Sequence, residues 1–291
     1  VPSSATAAPP EPPRTRSRRV RKPPQATAKP GPKLVCQRAE LLAACQLANV
    51  AVPANSHRPT LQNLKLAATP SRCTIEATDL EIGVRLDVAG VQADAAVQFL
   101  LPASRLIAIL RETAEETVTV ETSDPTTLIR AGQSEFELSA EDPANFPEVP
   151  NPRSKQHHTV TAGQLRDAIR RTAVAAAKEN ARYALTGTLW ELDEKELRLV
   201  ATDGKRLALA RCQAQAHDGH EPPGKFHTLP TKAMQLLERV LDDPEQTVKV
   251  ALRENEALVR VGAAVIHTRS SKGSTRRTAT SSRRPKRSRS R

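Results

Sequence analysis

The feature that most limits what this chain can fold into is that it repeats itself. The stretch Leu197-Arg198-Leu199-Val200-Ala201-Thr202-Asp203-Gly204-Lys205-Arg206-Leu207-Ala208-Leu209-Ala210 alternates apolar and other residues on either side of Asp203-Gly204. That is the pattern of two strands hinged at a tight turn. A cognate stretch, Cys73 to Leu86, runs with the same alternation into Ala77-Thr78-Asp79. With one half laid on the other, Leu41 falls on Leu165, Leu61 on Leu185 and Thr78-Asp79 on Thr202-Asp203. After small slips Leu101-Pro102-Ala103 meets Leu229-Pro230-Thr231, Thr117 to Val120 meets Thr247 to Val250, and Leu128, Arg130 and Gly132 meet Leu258, Arg260 and Gly262. The order never breaks, and the slips are those of loop insertions. The fold must therefore be built from two like units.

Each unit has the same grammar: a helix, strands around Thr-Asp, a helix opened by Leu-Pro, and a further hairpin. Helical spacing of apolar residues predicts first helices over Arg38 to Val50 and Thr161 to Ala177, and second helices over Pro102 to Arg111 and Pro230 to Leu241. Proline is expected at the first helical position, where its missing N–H is no loss. The predicted fold class is α+β, a tandem pair of domains, each with two helices packed on an antiparallel sheet.

Net charge is +12 over 291 residues, but it sits at the ends. The stretches 1–33 and 269–291 are rich in Lys and Arg, and the body between them is net acidic. Bulk charge therefore cannot bring that body to nucleic acid; a local stripe of Lys and Arg must. Residues 1–32, full of Pro, Ala, Ser, Thr and Arg, have no apolar stretch to offset the entropy of ordering and read as a disordered extension. They lack the apolar centre of a secretory signal. No apolar run reaches membrane-spanning length. Cys36, Cys45, Cys73 and Cys212 lack metal-ligand spacing and read as reduced core thiols of a cytoplasmic protein, ahead of disulfides.

Five segments carry a resemblance: Thr60-Leu61-Gln62-Asn63-Leu64-Lys65-Leu66, Ala77-Thr78-Asp79-Leu80-Glu81, Glu141-Asp142-Pro143-Ala144-Asn145-Phe146-Pro147, Asn180-Ala181-Arg182-Tyr183, and Val200 through Ala208. Over about residues 33 to 269 the chain resembles the bacterial sliding clamp, the beta subunit of DNA polymerase III. The resemblance implies clamp domains at 33–152 and 153–269. It implies a processivity factor that encircles duplex DNA without reading sequence and docks peptides of the replicative polymerase, the clamp loader and other proteins. Family clamps have three domains per subunit and close as a ring of six; here two are found, so a monomer or open oligomer is expected rather than a ring.

Beyond Thr268 the family's continuation is missing. A one-base shift in reading frame would permit Leu-Val-Glu-Gly from Ser270 through Gly273, and Pro-Pro-Tyr-Arg-Asp-Val-Ile-Pro from Arg276 through Arg283. Residues 270–291 are therefore expected to be a frameshift product, genuine or from sequencing, with a disordered basic DNA-binding tail as the alternative.

For the sites, the resemblance implies that helix Lys and Arg meet phosphates without reading bases. The matching positions are Arg105, Arg111, Lys232 and Arg239, with Arg166, Arg170, Arg171 and Lys178 beside them. A solvated helix face is an equal reading for any one of these. Arg182 and Tyr183 match a loop that touches DNA, where an aromatic can stack on a base; Ala184 stands where a second aromatic is usual. Leu185, Thr202, Gly204, Lys205, Arg206 and Leu207 match the peptide-docking cleft. That cleft's Pro and Val would come from the stretch now occupied by Arg276 and Ser281, so weak peptide binding is expected. Asp79, Glu81 and Asp203 read as turn carboxylates that bond their own backbone rather than as metal ligands. His157-His158 fall in the linker and His217 and His220 in a Gly/Pro loop, neither with zinc grammar. No catalytic residue, metal or cofactor is expected. The rival reading is a nucleic-acid-binding protein whose basic tails bind and whose core is an inert scaffold.

Overall fold

The structure, a computed structural model, describes residues 31–123, 126–139, 141–150, 155–177, 187–222 and 226–270. In the first copy β1 (Lys33–Gln37) leads straight into α1 (Arg38–Ala48). There follow β2 (Asn63–Thr69), β3 (Arg72–Thr78), β4 (Ile82–Val88), β5 (Val91–Ala93), β6 (Val97–Pro102), α2 (Ala103–Glu112), β7 (Thr117–Ser123), β8 (Thr126–Ala131) and β9 (Ser134–Ser139). The second copy repeats the series element for element: β10 (His157–Thr161), α3 (Ala162–Ala173), β11 (Gly187–Leu192), β12 (Glu196–Thr202), β13 (Leu207–Gln213), β14 (Gln215–His217), β15 (His227–Pro230), α4 (Thr231–Val240), β16 (Thr247–Arg253), β17 (Glu256–Val261) and β18 (Ala264–Arg269). The duplication read from the sequence is thus a duplication of topology.

The division into sheets differs from the expectation of one sheet per copy. Each copy splits its strands between two antiparallel groups. In the first, β5-β1-β7-β8-β9 form one sheet, and β4-β3-β2-β6 another; the second copy has β14-β10-β16-β17-β18 and β13-β12-β11-β15. Two of these groups fuse, because β18 pairs with β4, running from Val265 opposite Arg85 to Thr268 opposite Ile82. A nine-stranded sheet therefore crosses from one copy to the other. Period-2 alternation identifies strands but does not say how they are shared out. The helices bridge the groups: α1 touches β1 of one and β3 and β4 of the other, and α3 does the same with β10 and with β11 to β13.

Each helix buries one stripe. Leu41, Cys45 and Ala48 do so on α1, Leu106, Ile107 and Leu110 on α2, Leu165, Ala168 and Ile169 on α3, and Met234, Leu236 and Leu237 on α4. Spacings of three and four keep such residues on one face. Together with the strands they form one apolar cluster through both copies, with Trp190 fully enclosed. Truncating a leucine here to alanine costs about 2–5 kcal/mol.

Pro102 and Pro230 are not the first helical residues. Each is the last residue of a strand, with ψ at 116° and 147°, and its helix starts one position later. Backbone pairing of Asn63 with Pro102 and of Gly187 with Pro230 keeps both prolines in the sheet. The helix over Thr161 to Ala177 is also shorter than expected, ending at Ala173.

The Glu-Asp-Pro-Ala-Asn-Phe-Pro segment pins the connection between copies. Asp142 accepts the Ala144 N–H at 2.9 Å and caps a single 3-10 turn. Phe146 and Val149 then pack on Leu100. A Cβ on Gly83 would stand 3.0 Å from Val149, so glycine lets the connector lie flat on β4. Arg85 ties it down by donating to the Val149 carbonyl at 3.3 Å.

Candidate nucleic-acid and peptide-binding surfaces

The two Thr-Asp turns are the same object built twice. Thr78 Oγ1 donates to the Ile82 carbonyl at 2.8 Å and accepts the Leu80 N–H at 3.0 Å. Thr202 Oγ1 does likewise with Arg206 at 2.7 Å and Gly204 at 3.0 Å. Asp79 Oδ1 takes the N–H groups of Glu81 and Ile82 at 3.0 and 2.7 Å, and Asp203 Oδ1 those of Lys205 and Arg206 at 3.0 and 2.9 Å. The third residue has positive φ in both, 76° at Leu80 and 88° at Gly204. Oδ1 of Asp79 and of Asp203 is thus spent on its own turn, as expected from the sequence for these two aspartates. The backbone amides of Arg206 and Lys205, helped by the Arg206 guanidinium, hold the Asp203 carboxyl below its ordinary range.

Beside the second turn the surface is apolar. Leu207 is 58% exposed and Leu209 50%, on the edge strand β13, and Val174, just past α3, is 63% exposed. Ala175 and Ala176 pack on Ala201 and Ala208, which seats the segment after α3 against the hairpin. Thr202 is half-buried, while Gly204, Lys205 and Arg206 are exposed at the rim. Leu209 and Val174 were missed from the sequence; alternation alone suggested that one face of β13 would be buried. Leu185 lies outside the described residues.

The predicted DNA contacts are not equivalent. Arg105 and Arg111 on α2 and Arg239 in the last turn of α4 are exposed, and none has an ion-pair partner among the described residues. Arg171 is also exposed. Arg170 Nε is 2.8 Å from Glu238 Oε1, a bridge between α3 and α4. Arg166 is only half-buried, and its Nε is enclosed without a hydrogen-bond partner. Lys232 is committed elsewhere: its Nζ is 2.5 Å from Asp79 Oδ2, across the junction between copies. Lys178, Arg182 and Tyr183 lie outside the described residues.

The histidines depart from the sequence reading. His157 and His158 belong to β10, not to a linker, and antiparallel pairing sets His157 opposite His217. Those two rings stack at 5.1 Å. On the opposite face of the strand His158 Nδ1 is 2.7 Å from His220 Nδ1, so one ring donates and the other accepts. Burial first, and then the neighbouring His220, push His158 down to about 4. Among the described residues no group of His, Cys, Asp and Glu has the arrangement of a metal site. All four cysteines are buried; burial pushes Cys36 up to about 12 and Cys73 and Cys212 to about 11, and raises Cys45 further.

Solved structures define the class. The sliding clamp of Bacillus subtilis superposes with a TM-score of 0.78 at 24% identity, covering 86% of this chain and 67% of that one. The beta sliding clamp of C. crescentus gives 0.75 at 29% identity, covering 84% and 66%. The architecture is that of a DNA sliding clamp.

Sequence comparison narrows this to a family. The model of the DNA polymerase III beta subunit N-terminal domain matches residues 32–150, and that of its central domain residues 159–274. The chain therefore belongs to the DNA polymerase III beta subunit family, the bacterial beta sliding clamps. It is 30% identical to the beta sliding clamp of Vibrio cholerae over 217 residues, which is 74% of this chain and 58% of that protein. To that of Escherichia coli K12 it is 29% identical over 231 residues, 79% and 62%. The chain thus spans about three fifths of the length of these relatives. The matches fall on the body of the chain, which leaves the inert-scaffold reading without support.

Proposed function

We propose that this chain acts as a sliding clamp: a non-catalytic accessory subunit in the cell interior that holds the replicative polymerase on duplex DNA without sequence preference. Two clamp domains, at 33–152 and 153–269, form the arc. The observation that carries the proposal is the nine-stranded sheet shared by two topologically identical copies, which fixes their helices in one array. In this reading Arg105, Arg111 and Arg239 meet phosphates, Arg166, Arg170, Lys178 and Arg182 are further DNA-binding residues by their match to the family, and Tyr183 stacks on a base. Lys232 contributes least, since Asp79 neutralises it. Thr202, Gly204, Lys205, Arg206 and Leu207, with Leu185, form the cleft that takes apolar anchors of peptides from the polymerase and clamp loader; exposed Leu207 and Leu209 support it.

The test is duplex binding across a salt series, for the full chain and for a chain without residues 1–32 and 270–291. The expected result is that the trimmed chain still binds, and that combined Arg105→Gln, Arg111→Gln and Arg239→Gln reduce the salt slope by about 2–3, close to 0.9 per lost phosphate contact. Loss of all binding on trimming would return the function to the tails.

A further inference from the structure

β14 is a margin of the nine-stranded sheet, joined to it on one side only, by three residue pairs with β10: His157 with His217, His158 with Ala216 and Thr159 with Gln215. Among the described residues, every side-chain hydrogen bond between β10 and β14 or its turn involves a histidine. His217 Nε2 lies 2.9 Å from Thr159 Oγ1, and His158 meets His220 just beyond β14. The turn bonds the His220 N–H to the His217 carbonyl at 3.1 Å through Asp218 and Gly219, both at positive φ, and so folds His220 back towards β10. The first copy builds the same margin without histidine. There β5 pairs with β1, and Val91 and Ala93 pack on the core. Leu34, second residue of β1, is fully enclosed where the second copy encloses His158, second residue of β10. An imidazole in a leucine's place can take a proton.

The surroundings are built against that proton. His158 Nδ1 and His220 Nδ1, 2.7 Å apart, share a single hydrogen. A second hydrogen on that line sets two N–H groups against each other. One on His158 Nε2 makes a buried donor of an atom that has no hydrogen-bond partner. The side chains whose charge acts on the pair are His157 and His217, from the two strands, and Arg253 at the end of β16, itself 3.0 Å from Glu256. These can only be neutral or positive. The backbone of Asp193 and of Leu252 favours the charged rings, but by less than burial opposes them. No carboxylate pairs with either ring among the described residues: Asp193 Oδ1 takes the Glu194 N–H, and Asp218 and Glu221 are exposed. We propose that the His158–His220 pair is an acid-operated latch, in which protonation parts the rings and releases β14 and its turn from β10 while the rest of the fold holds. Giving up three residue pairs at a sheet margin is a local opening, far smaller than global unfolding. It bares the backbone of β10 to a new strand.

The sign follows from the closed state. Burial holds both rings below their ordinary value there, His158 at about 4 against 6.5, so release is suppressed above about pH 6.5 and favoured as pH falls towards 4. The test is amide hydrogen exchange in the full chain from about pH 7.5 to about pH 5, corrected for the intrinsic pH dependence of exchange. Protection of the His220 amide and of the amides bonded between β10 and β14 is expected to fall about tenfold for each pH unit below about 6.5, while amides bonded between β1 and β5 hold. Both margins are compared within one wild-type chain, so the result does not depend on a variant folding. His158→Leu, which restores the residue type of the first copy, is expected to abolish the pH dependence at β14. His217→Gln removes the outer ring stack and is expected to loosen β14 at every pH without changing the slope. Equal loss of protection at both margins, or full protection of β14 down to about pH 5, would overturn the latch. So would a slope unchanged in His158→Leu.

Discussion

Lys232 Nζ sits 2.5 Å from Asp79 Oδ2, joining the first turn of a helix in the second copy to the Thr-Asp turn of the first. Asp79 thereby does two things with two oxygens: Oδ1 closes its own turn and Oδ2 holds the neighbouring copy. The aspartate end is mostly enclosed, with 15% of its side chain exposed against 36% for the lysine.

Lys232→Met should therefore lower stability by about 1–2 kcal/mol, more than a surface pair and less than a fully enclosed one. Asp79→Asn keeps Oδ1 as the turn acceptor but removes the charge and sets an NH2 donor in place of the oxygen that faces Lys232, so a double-mutant cycle in urea should show the two changes to be non-additive. Additivity would mean that the contact carries no coupling.

The equivalence of Leu80 and Gly204 gives a second prediction. A leucine at positive φ carries about 1–2 kcal/mol of strain, part of which a glycine would give back as chain entropy. Leu80→Gly is expected to stabilise by about 0.5–1 kcal/mol. Gly204→Leu should cost about 1 kcal/mol through the backbone alone, because nothing lies within 4 Å of a Cβ there. Urea midpoints of the two variants should move in opposite directions.

Acid should act through His158. Its ordinary value of 6.5 falls to about 4 in the fold, so between these values the unfolded chain binds a proton that the native chain refuses. Stability is then complete above about pH 6.5 and declines steadily towards pH 4. His158→Phe should flatten that decline, while costing about 1–3 kcal/mol at neutral pH because His220 Nδ1 loses its partner. An unchanged acid limb in the variant would shift responsibility to other groups.

The four thiols should be inert in the native state. Enclosure keeps them protonated, and the thiolate is the reactive form. Reaction with a thiol reagent is expected to follow global unfolding, with all four released together. Early release of Cys73 or Cys212 alone would indicate local opening.

What the sequence disclosed was local or repeated. The Thr-Asp turns could be read because every bond in them spans four residues or fewer, and the duplication because both copies keep their order. Features that depend on bringing distant strands together stayed hidden. The His158–His220 contact needs the pairing of β10 with β14, and the Asp79–Lys232 bridge needs the junction at β18 and β4. Arg166 looked like one more cation on a helix face until packing enclosed its Nε. The split of each copy into two sheets was equally invisible, since a strand's alternation is the same whichever neighbour it finds.

The pairing of β18 with β4 also bears on what would follow if the chain were severed between its copies. Each piece would be left with a bare row of backbone donors and acceptors where its neighbour had been, along Ile82 to Arg85 on one side and Val265 to Thr268 on the other. Exposed strand margins of that kind recruit whatever strand is available. Neither half is therefore a self-sufficient object: each would stick to its own kind or to the other half, and simple mixing of the two pieces should rebuild the seam.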